Sequence, residues 1–114
     1  MQLRKIAHSR TGDKGNVVTI SLIAYRSEDF RLLDTHVTAE QVGAFFAEMI
    51  DGPVVRYALP HLSALNFVLQ RPETQSVTRS LALDAHGKCL GSMLLAMEIP
   101  AERIGIETRE KKTE

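Results

Sequence analysis

The sequence predicts a single α+β domain in which a mostly antiparallel sheet is covered on one face by one or two helices. Two observations carry this prediction. Alternating, β-branched segments surround one well-capped amphipathic helix, and a Gly-containing turn joins the last two extended segments. The 114 residues, 44% hydrophobic and 25% charged, match one globular domain that buries a core without metal or disulfide.

The clearest element is a helix over residues 38–50. Thr38 is a good N-cap, and Gln41 three positions later completes a capping box. Gly52 and Pro53 end the helix, because glycine adopts the left-handed conformation and proline cannot continue the turn. One face repeats apolar residues at helical spacing and is predicted to lie in the core: Val42, Phe45, Phe46, Met49 and Ile50.

Extended segments lie on both sides of this helix. Residues 17–25 alternate, with one face formed by Val18, Ile20, Leu22 and Ala24. Residues 54–59 form a second short strand that ends at Pro60. Residues 61–70, between Pro60 and Pro72, fit either a strand or a helix, and we assign them as a short helix.

The last two predicted strands form a hairpin. Residues 77–84 and 89–99 flank a turn that contains Gly87. The strand over residues 89–99 is apolar on both faces, which is typical of a strand that is sandwiched or that contacts another subunit. With few helices to cover a second face, we expect a homo-oligomer.

Composition excludes several classes of function. Fourteen Lys and Arg residues balance fourteen Asp and Glu residues, so no global field attracts nucleic acid or anionic lipid. No apolar segment approaches the ~20 residues that cross a bilayer, and the first residues lack the apolar stretch of a signal peptide. Cys89 is the only cysteine, which leaves no intrachain disulfide and no cysteine-based zinc site. We therefore expect a cytoplasmic protein that binds neither nucleic acid nor membrane.

Neutrality conceals a local asymmetry of charge. Residues 1–26 contain five basic residues and one acidic residue, a balance of +4, whereas residues 27–51 contain one basic and six acidic residues, a balance of −5. Two solvated surfaces that happen to differ in sign are the simpler interpretation. A basic segment that faces an anionic ligand or partner is the alternative.

The densest polar cluster is the predicted loop over residues 8–16. It is either a polar hairpin connection with glycines at positive φ or an anion-binding loop. In the second case Gly12 and Gly15 let backbone N–H groups approach a ligand, while Arg10 and Lys14 supply positive charge. The segment is not a phosphate-binding P-loop, because no Ser or Thr follows the lysine and a strand follows the loop.

Other candidate residues are scattered along the chain. His8 is a candidate general base that Asp13 would orient. Asn66 and Arg79 interrupt apolar segments and need partners if buried, with Glu98 one possible partner for Arg79. We expect neither a metal nor a cofactor, since the histidines lack metal-binding spacing. The candidate ligand-binding residues are Arg10, Gly12, Lys14, Gly15, Asn16, Asn66 and Arg79.

Three segments resemble those of one family. Residues 7–16, AHSRTGDKGN, are similar to the AHxRSGDKG(D/N) opening of the AtuA-like domain. Residues 59–69 contain LP and ALNFVL in the order of that family's LP…ALNFVL segment, and residues 77–91 resemble its VTRSLxxDxxGKxLG hairpin. The family's glycine-rich stretch before VTRS is absent, since residues 71–76 here read RPETQS.

The resemblance implies a ferredoxin-like domain over residues 1–100, and the charged residues 101–114 are expected to form a flexible tail. It also implies a non-catalytic accessory or oligomerisation module that works with a larger AtuA-type subunit in acyclic terpene or branched acyl-CoA catabolism. The alternative is a small-molecule binding protein or enzyme. In that case the loop over residues 8–16 holds an anionic ligand, a carboxylate or a CoA-type group.

Overall fold

The structure, a computed structural model, describes residues 1–72 and 90–100. Four strands and three helices form its framework, together with three short 3-10 helices at Leu3–Lys5, Ser27–Asp29 and Pro60–Leu62. The strands are β1 (Ala7–Lys14), β2 (Val17–Ala24), β3 (Val55–Leu59) and β4 (Ala64–Gln70), and the helices are α1 (Phe30–His36), α2 (Ala39–Phe45) and α3 (Leu90–Leu94).

The four strands form one antiparallel sheet in the order β1-β2-β4-β3, so β1 and β3 are its edges. Directly opposed residues of paired strands point to the same face, and the register therefore defines two faces. The face that we call the covered face supplies every strand residue of the hydrophobic core: Ala7, Val18, Ile20, Leu22, Ala24, Leu65, Phe67 and Leu69. The helices pack on this face, which confirms the predicted α+β class, ferredoxin-like, with a sheet covered by helices.

The prediction of a loop over residues 8–16 is wrong. Residues 7–14 are strand β1, paired along its whole length with β2, and only Gly15 and Asn16 form the turn. Gly15 has φ 64°, a positive value at the first central position of a two-residue hairpin turn, where glycine is strongly favoured. Residues 8–14 are polar or small, which is the composition of a loop. In the structure they form an edge strand.

Strand β4 replaces the short helix predicted over residues 61–70. Only Pro60–Leu62 is helical, as a 3-10 turn that ends at Ser63 with φ 53°. The next seven residues pair with β2 on one side and β3 on the other. This central position satisfies the backbone of β4 in both directions and buries Leu65, Phe67 and Leu69 completely, so tertiary pairing overrides the helical spacing.

The capped helix is confirmed at its start and is shorter than predicted. Thr38 accepts a hydrogen bond from the Gln41 backbone N–H at 3.1 Å, and the helix spans Ala39–Phe45. Phe46 is fully buried, but Phe45 is 39% exposed, so its assignment to the core was wrong. Phe45 is the last residue of the helix and Phe46 follows it, so the two neighbouring side chains point in different directions.

Helix α1 was not predicted from the sequence. It covers the sheet with Leu32 and Leu33 buried. Arg56 of β3 holds its C-terminal end, because the Arg56 side chain donates to the carbonyl oxygens of Asp34 at 2.9 Å and Val37 at 3.0 Å. An arginine at these positions satisfies carbonyls that the end of a helix leaves without intrahelical donors.

Helix α3 corrects the strand predicted over residues 89–99. Residues 90–94 are helical, and Leu90 and Leu94, one turn apart, are both buried in the core. The argument for self-association from a strand with two apolar faces therefore fails. Gly91 lies against β1, where its N–H donates to Thr11 Oγ1 at 3.0 Å. A Cβ at Gly91 would collide with that oxygen and come within 3.0 Å of Ser9 Oγ.

The end of this segment contacts the N-terminus. The Met1 amino group forms an ion pair with Glu98 at 2.8 Å, so Glu98 has a partner other than the predicted Arg79. The predicted strand over residues 77–84, its turn, Cys89 and the tail over residues 101–114 lie outside the described residues. Among the described residues, no helix is long and apolar enough to span a membrane.

Candidate functional site

The second face of the sheet, which we call the open face, supplies no residue to the hydrophobic core cluster. Its strand residues contain two cations and one histidine, and no Asp or Glu. From β1 across to β3 they are His8, Arg10, Gly12, Lys14, Val17, Thr19, Ser21, Ile23, Ala64, Asn66, Val68, Gln70, Val55, Tyr57 and Leu59. The described strand residues of the open face therefore carry a net positive charge on a neutral protein.

The acidic residues of the helical segment lie on the other side of the sheet. Residues 27–51, with their balance of −5, form α1, α2 and the adjoining turns, which pack on the covered face. The basic residues Arg10 and Lys14 of β1 point away from that layer. Two of the five basic residues of residues 1–26 thus lie on the face opposite to the acidic segment, an arrangement that both interpretations of the charge pattern allow.

Arg10 and Lys14 flank Gly12 on the open face. Residues two apart on a strand are separated by about 6.6 Å, so Gly12 lies about that far from each cation. Both side chains are exposed, and neither has an ion-pair or hydrogen-bond partner within residues 1–72 and 90–100. Side chains of this length can converge above Gly12, where the strand has no side chain of its own.

Gly12 opens a hollow beside the cations. The hollow has a volume of about 410 Å³ and is lined by Gly12, Asp13, Lys14, Val17 and Thr19. A Cβ at Gly12 would lie 2.6 Å from Thr19 Oγ1, so any larger residue would fill this space and displace Thr19. The volume falls within the range of pockets that hold small ligands.

The predicted backbone nest for an anion is not formed. Gly12 lies in an extended strand opposite Thr19, and Gly15 and Asn16 form the tight turn beyond it. The Asn16 carbonyl accepts the Arg71 backbone N–H at 2.7 Å, which ties the turn to the end of β4. Gly15 and Asn16 therefore shape the hairpin, and an anion on this surface would be held by side chains.

His8 and Asp13 do not form the predicted pair. They lie on opposite faces of β1, since five positions separate them on a strand whose side chains alternate. The Asp13 carboxylate is 3.0 Å from the guanidinium of Arg71. The His8 ring instead stacks on Tyr25, with ring centroids 5.2 Å apart at 27°. The interpretation that Asp13 orients His8 as a general base is thus wrong.

Asn66 lies on the open face in the same cross-strand row as Arg10, with Ser21 between them. Two inter-strand spacings put the Asn66 backbone about 10 Å from that of Arg10. The Asn66 Oδ1 atom is buried and has no hydrogen-bond partner among the described residues. An acceptor in this state costs free energy in the isolated chain, because its desolvation is not offset by a donor.

The structure thus brings five of the predicted site residues to one face and separates others. His8, Arg10, Gly12, Lys14 and Asn66 share the open face. Asp13 lies on the other face and Arg79 lies outside the described residues. Thr19 and Arg71 were missed. The alternation of β2 could have identified Thr19, because it places Thr19 on the other face of the strand from the buried Val18 and Ile20.

The described residues contain no group of three or more His, Cys, Asp or Glu side chains arranged to hold a metal ion. The family model of the AtuA ferredoxin-like domain matches residues 1–100 of this chain. Neither the curated proteins nor the solved structures contain a significant match. The family match covers more than half of the chain, which therefore belongs to the AtuA ferredoxin-like domain family.

Proposed function

We propose that this AtuA ferredoxin-like domain is a small-molecule binding module that holds an anionic group on its open face. The observation that supports this most strongly is the position of Arg10 and Lys14 on either side of Gly12, on a face whose described strand residues include no Asp or Glu. Lys14 lines the Gly12 hollow together with Asp13, and the Asp13 carboxylate is paired with Arg71. Candidate ligands are carboxylates and CoA-type phosphates.

The charge of the surface supports an anion in preference to a neutral ligand. Exposed cations on one face repel each other, and an anion between them relieves this repulsion. Arginine provides a planar fork of donors for a carboxylate or phosphate, and lysine adds a compact point charge. The two residues would thus orient the ligand and neutralise it. We assign no chemical step to the site.

A thermal-shift screen tests this function. The purified chain is measured with free CoA, acyl-CoA thioesters, branched carboxylates and nucleotides. A ligand that binds only the folded chain stabilises it by about 2.7 kcal/mol at a hundredfold excess over Kd. We expect one of these classes to raise the Tm, and Lys14→Ala to abolish the increase.

Lys5→Ala is the matched control for that substitution. Lys5 is exposed and lies in the 3-10 helix before β1, outside the open face. Lys5→Ala removes the same charge as Lys14→Ala, and it should leave the ligand-dependent increase in Tm unchanged. An absence of any shift with all four ligand classes, or an equal loss in both variants, would contradict the proposal.

The second candidate function is an accessory module for a larger AtuA-type subunit in acyclic terpene or branched acyl-CoA catabolism. Its support is Tyr25, which is 63% exposed and stacks on His8 at one end of the open face. Exposed aromatic residues beside cations are enriched at protein interfaces. A partner with an acidic surface would fit this face through charge complementarity.

Light scattering on mixtures of this chain with a larger AtuA-type protein tests the accessory function. We expect a complex of defined stoichiometry that Tyr25→Ser and Arg10→Glu weaken and Lys5→Glu does not. A complex insensitive to Tyr25→Ser, or no complex, would exclude the open face as the docking surface. Because the thermal-shift screen uses the chain alone, the two candidate functions are separated by which experiment responds.

A further inference from the structure

The two edge strands of the sheet differ in how they are protected from pairing with another chain. Edge strands expose unpaired backbone groups and are commonly protected by charged side chains. Strand β1 has that protection, since Arg10, Asp13 and Lys14 are all exposed along it. Strand β3, with the sequence VRYAL, contains one charged residue, Arg56.

Arg56 does not protect its edge. Its side chain points to the covered face and is held at the end of α1, where it contacts the Asp34 carboxylate at 2.6 Å and two backbone carbonyls. The guanidinium is thus committed to the helix. The edge strand is left without a charged side chain directed to solvent.

The other long side chains of β3 are apolar and exposed. Val55 is 45% exposed and Tyr57 is 55% exposed, and both lie on the open face together with Leu59. Strand β4 occupies one side of β3, and no residue of the described ranges 1–72 and 90–100 forms a backbone hydrogen bond to its other side. Among residues 1–72 and 90–100, strand β3 is therefore an apolar edge without a neighbour on its outer side.

We propose that β3 pairs antiparallel with β3 of a second copy of this chain, about a twofold axis at Tyr57. Self-pairing with this register places Tyr57 opposite its own equivalent. It also places Val55 opposite Leu59 of the second copy, and Arg56 opposite Ala58 of the second copy. The four described strands of each copy then join into one continuous sheet of eight strands.

The sequence of β3 is complementary to itself in this register. Aromatic and aliphatic residues meet their like on the open face, and such cross-strand pairs stabilise a sheet. Arg56 meets alanine, so no like charges oppose each other. Strand β1 lacks this property, because a second copy there would bring another Arg10 and Lys14 against the same two cations.

The dimer is expected to be modest in strength. A pairing of five residues per strand buries less surface than a standard stable interface. The equilibrium should therefore depend on protein concentration. In an antiparallel pair, directly opposed side chains share a face, so the dimer presents two open faces side by side on one surface. This inference does not depend on the proposed ligand function, which a monomer can also perform.

Cysteine cross-linking tests the register. The Cα atoms of opposed residues in an antiparallel pair lie about 4.5–5.5 Å apart, a separation that a disulfide spans. In a Cys89→Ser background, Tyr57→Cys is expected to form a disulfide-linked dimer under mild oxidation. Val55→Cys is the matched control. Two copies of Val55 would lie four residues apart along the strands, about 13 Å, and should not cross-link.

Charge exchange at the axis tests the dimer without a cross-link. Sedimentation of the wild-type chain should show a monomer–dimer equilibrium, and Tyr57→Lys should weaken dimerisation at least about tenfold, since like charges then face each other. Tyr57→Glu should do the same, and an equimolar mixture of the two variants should dimerise again. Tyr25→Lys, at an exposed tyrosine outside β3, should leave the equilibrium unchanged.

Three outcomes would overturn the proposal. They are a wild-type chain that stays monomeric up to its solubility limit, a dimer that Tyr57→Lys does not weaken, and equal cross-linking of Tyr57→Cys and Val55→Cys. Both tyrosine positions are surface sites, so circular dichroism should confirm that the variants are folded. Cross-linking of Tyr57→Cys alone, with recovery in the charge-exchange mixture, would establish both the partner and the register.

Discussion

The two faces of the sheet are formed by the same four strands and have opposite properties. On the covered face, β2 and β4 alone bury six fully inaccessible side chains against the helices. On the open face the side chains are half-buried or exposed, with Ala64 as the exception, and one edge carries Arg10 and Lys14, which have no ion-pair partner within residues 1–72 and 90–100. The comparison teaches that the residues that stabilise the fold and those of the proposed ligand site lie on separate faces, so substitutions should affect one property without the other.

The largest effect is expected for Phe67→Ala on the covered face. Phe67 is fully buried in the centre of β4, and its truncation leaves a cavity that the packed helices cannot fill. We expect a loss of about 3–5 kcal/mol in the free energy of unfolding. Urea denaturation measures it, with Val68→Ala on the open face as the neighbouring control. Equal losses in the two variants would contradict the distinction between the faces.

Gly91→Ala should have the next largest effect, because the added methyl group collides with Thr11 Oγ1. Forced overpacking of this kind commonly costs about 1–3 kcal/mol of stability. Thr11→Ala removes the obstructing oxygen, and the double variant should therefore lose less stability than the sum of the two single variants. Additive losses in thermal unfolding would show that α3 does not pack on β1 at this point.

Asn66→Leu tests the open face at a half-buried position. The substitution removes an acceptor that has no partner in the part of the chain that the structure describes, so stability should stay unchanged or rise by up to about 1 kcal/mol. Ligand affinity should fall if Asn66 contacts the bound molecule. A loss of stability above about 1 kcal/mol would instead assign Asn66 a structural role within the sheet.

Arg10→Ala is expected to have the smallest effect on folding. Arg10 is exposed and has no ion-pair partner among the residues described, so its truncation should change stability by less than about 0.5 kcal/mol. Calorimetric titration with the ligand that gives the largest thermal shift should nevertheless show a clear loss of affinity. A fully retained affinity would remove Arg10 from the site.

The parts of the fold that were predictable are those in which local pattern and tertiary position agree. Thr38 with Gln41 has the sequence of a capping box, and the cap forms. The alternation of residues 17–24 is that of a strand with one buried face, and β2 has that pattern throughout. In both cases the signal lies within the segment itself, so it can be recognised without knowledge of neighbouring elements.

The remaining elements depend on neighbours that a sequence does not display. Residues 64–69 fit two periods, and the strand is favoured because β2 and β3 pair with it on both sides. Residues 90–94 also fit two periods, and the helix places Leu90 and Leu94 in the same core. The sequence of α1 contains no capping signal. The carbonyl groups at its C-terminal end accept hydrogen bonds from Arg56, which is distant in sequence.

The candidate site was likewise predictable only where the local pattern was sufficient. The residue types of His8, Arg10, Gly12 and Lys14 indicated a polar cluster, and their spacing by two places them on one face once β1 is known to be a strand. The addition of Asn66 required the sheet register. The assignment of Asp13 to His8 failed because nearness in sequence is not nearness in space on alternating sides of a strand.

Chemical-shift mapping by NMR tests the central claim most directly. A labelled chain is titrated with CoA, an acyl-CoA thioester, a branched carboxylate and a nucleotide in turn. The account predicts that at least one ligand shifts the signals of Arg10, Gly12, Lys14 and Thr19 on the open face, with little change in α1 and α2. Shifts concentrated in those helices, or no shifts with any of the four, would contradict an anion site on the open face.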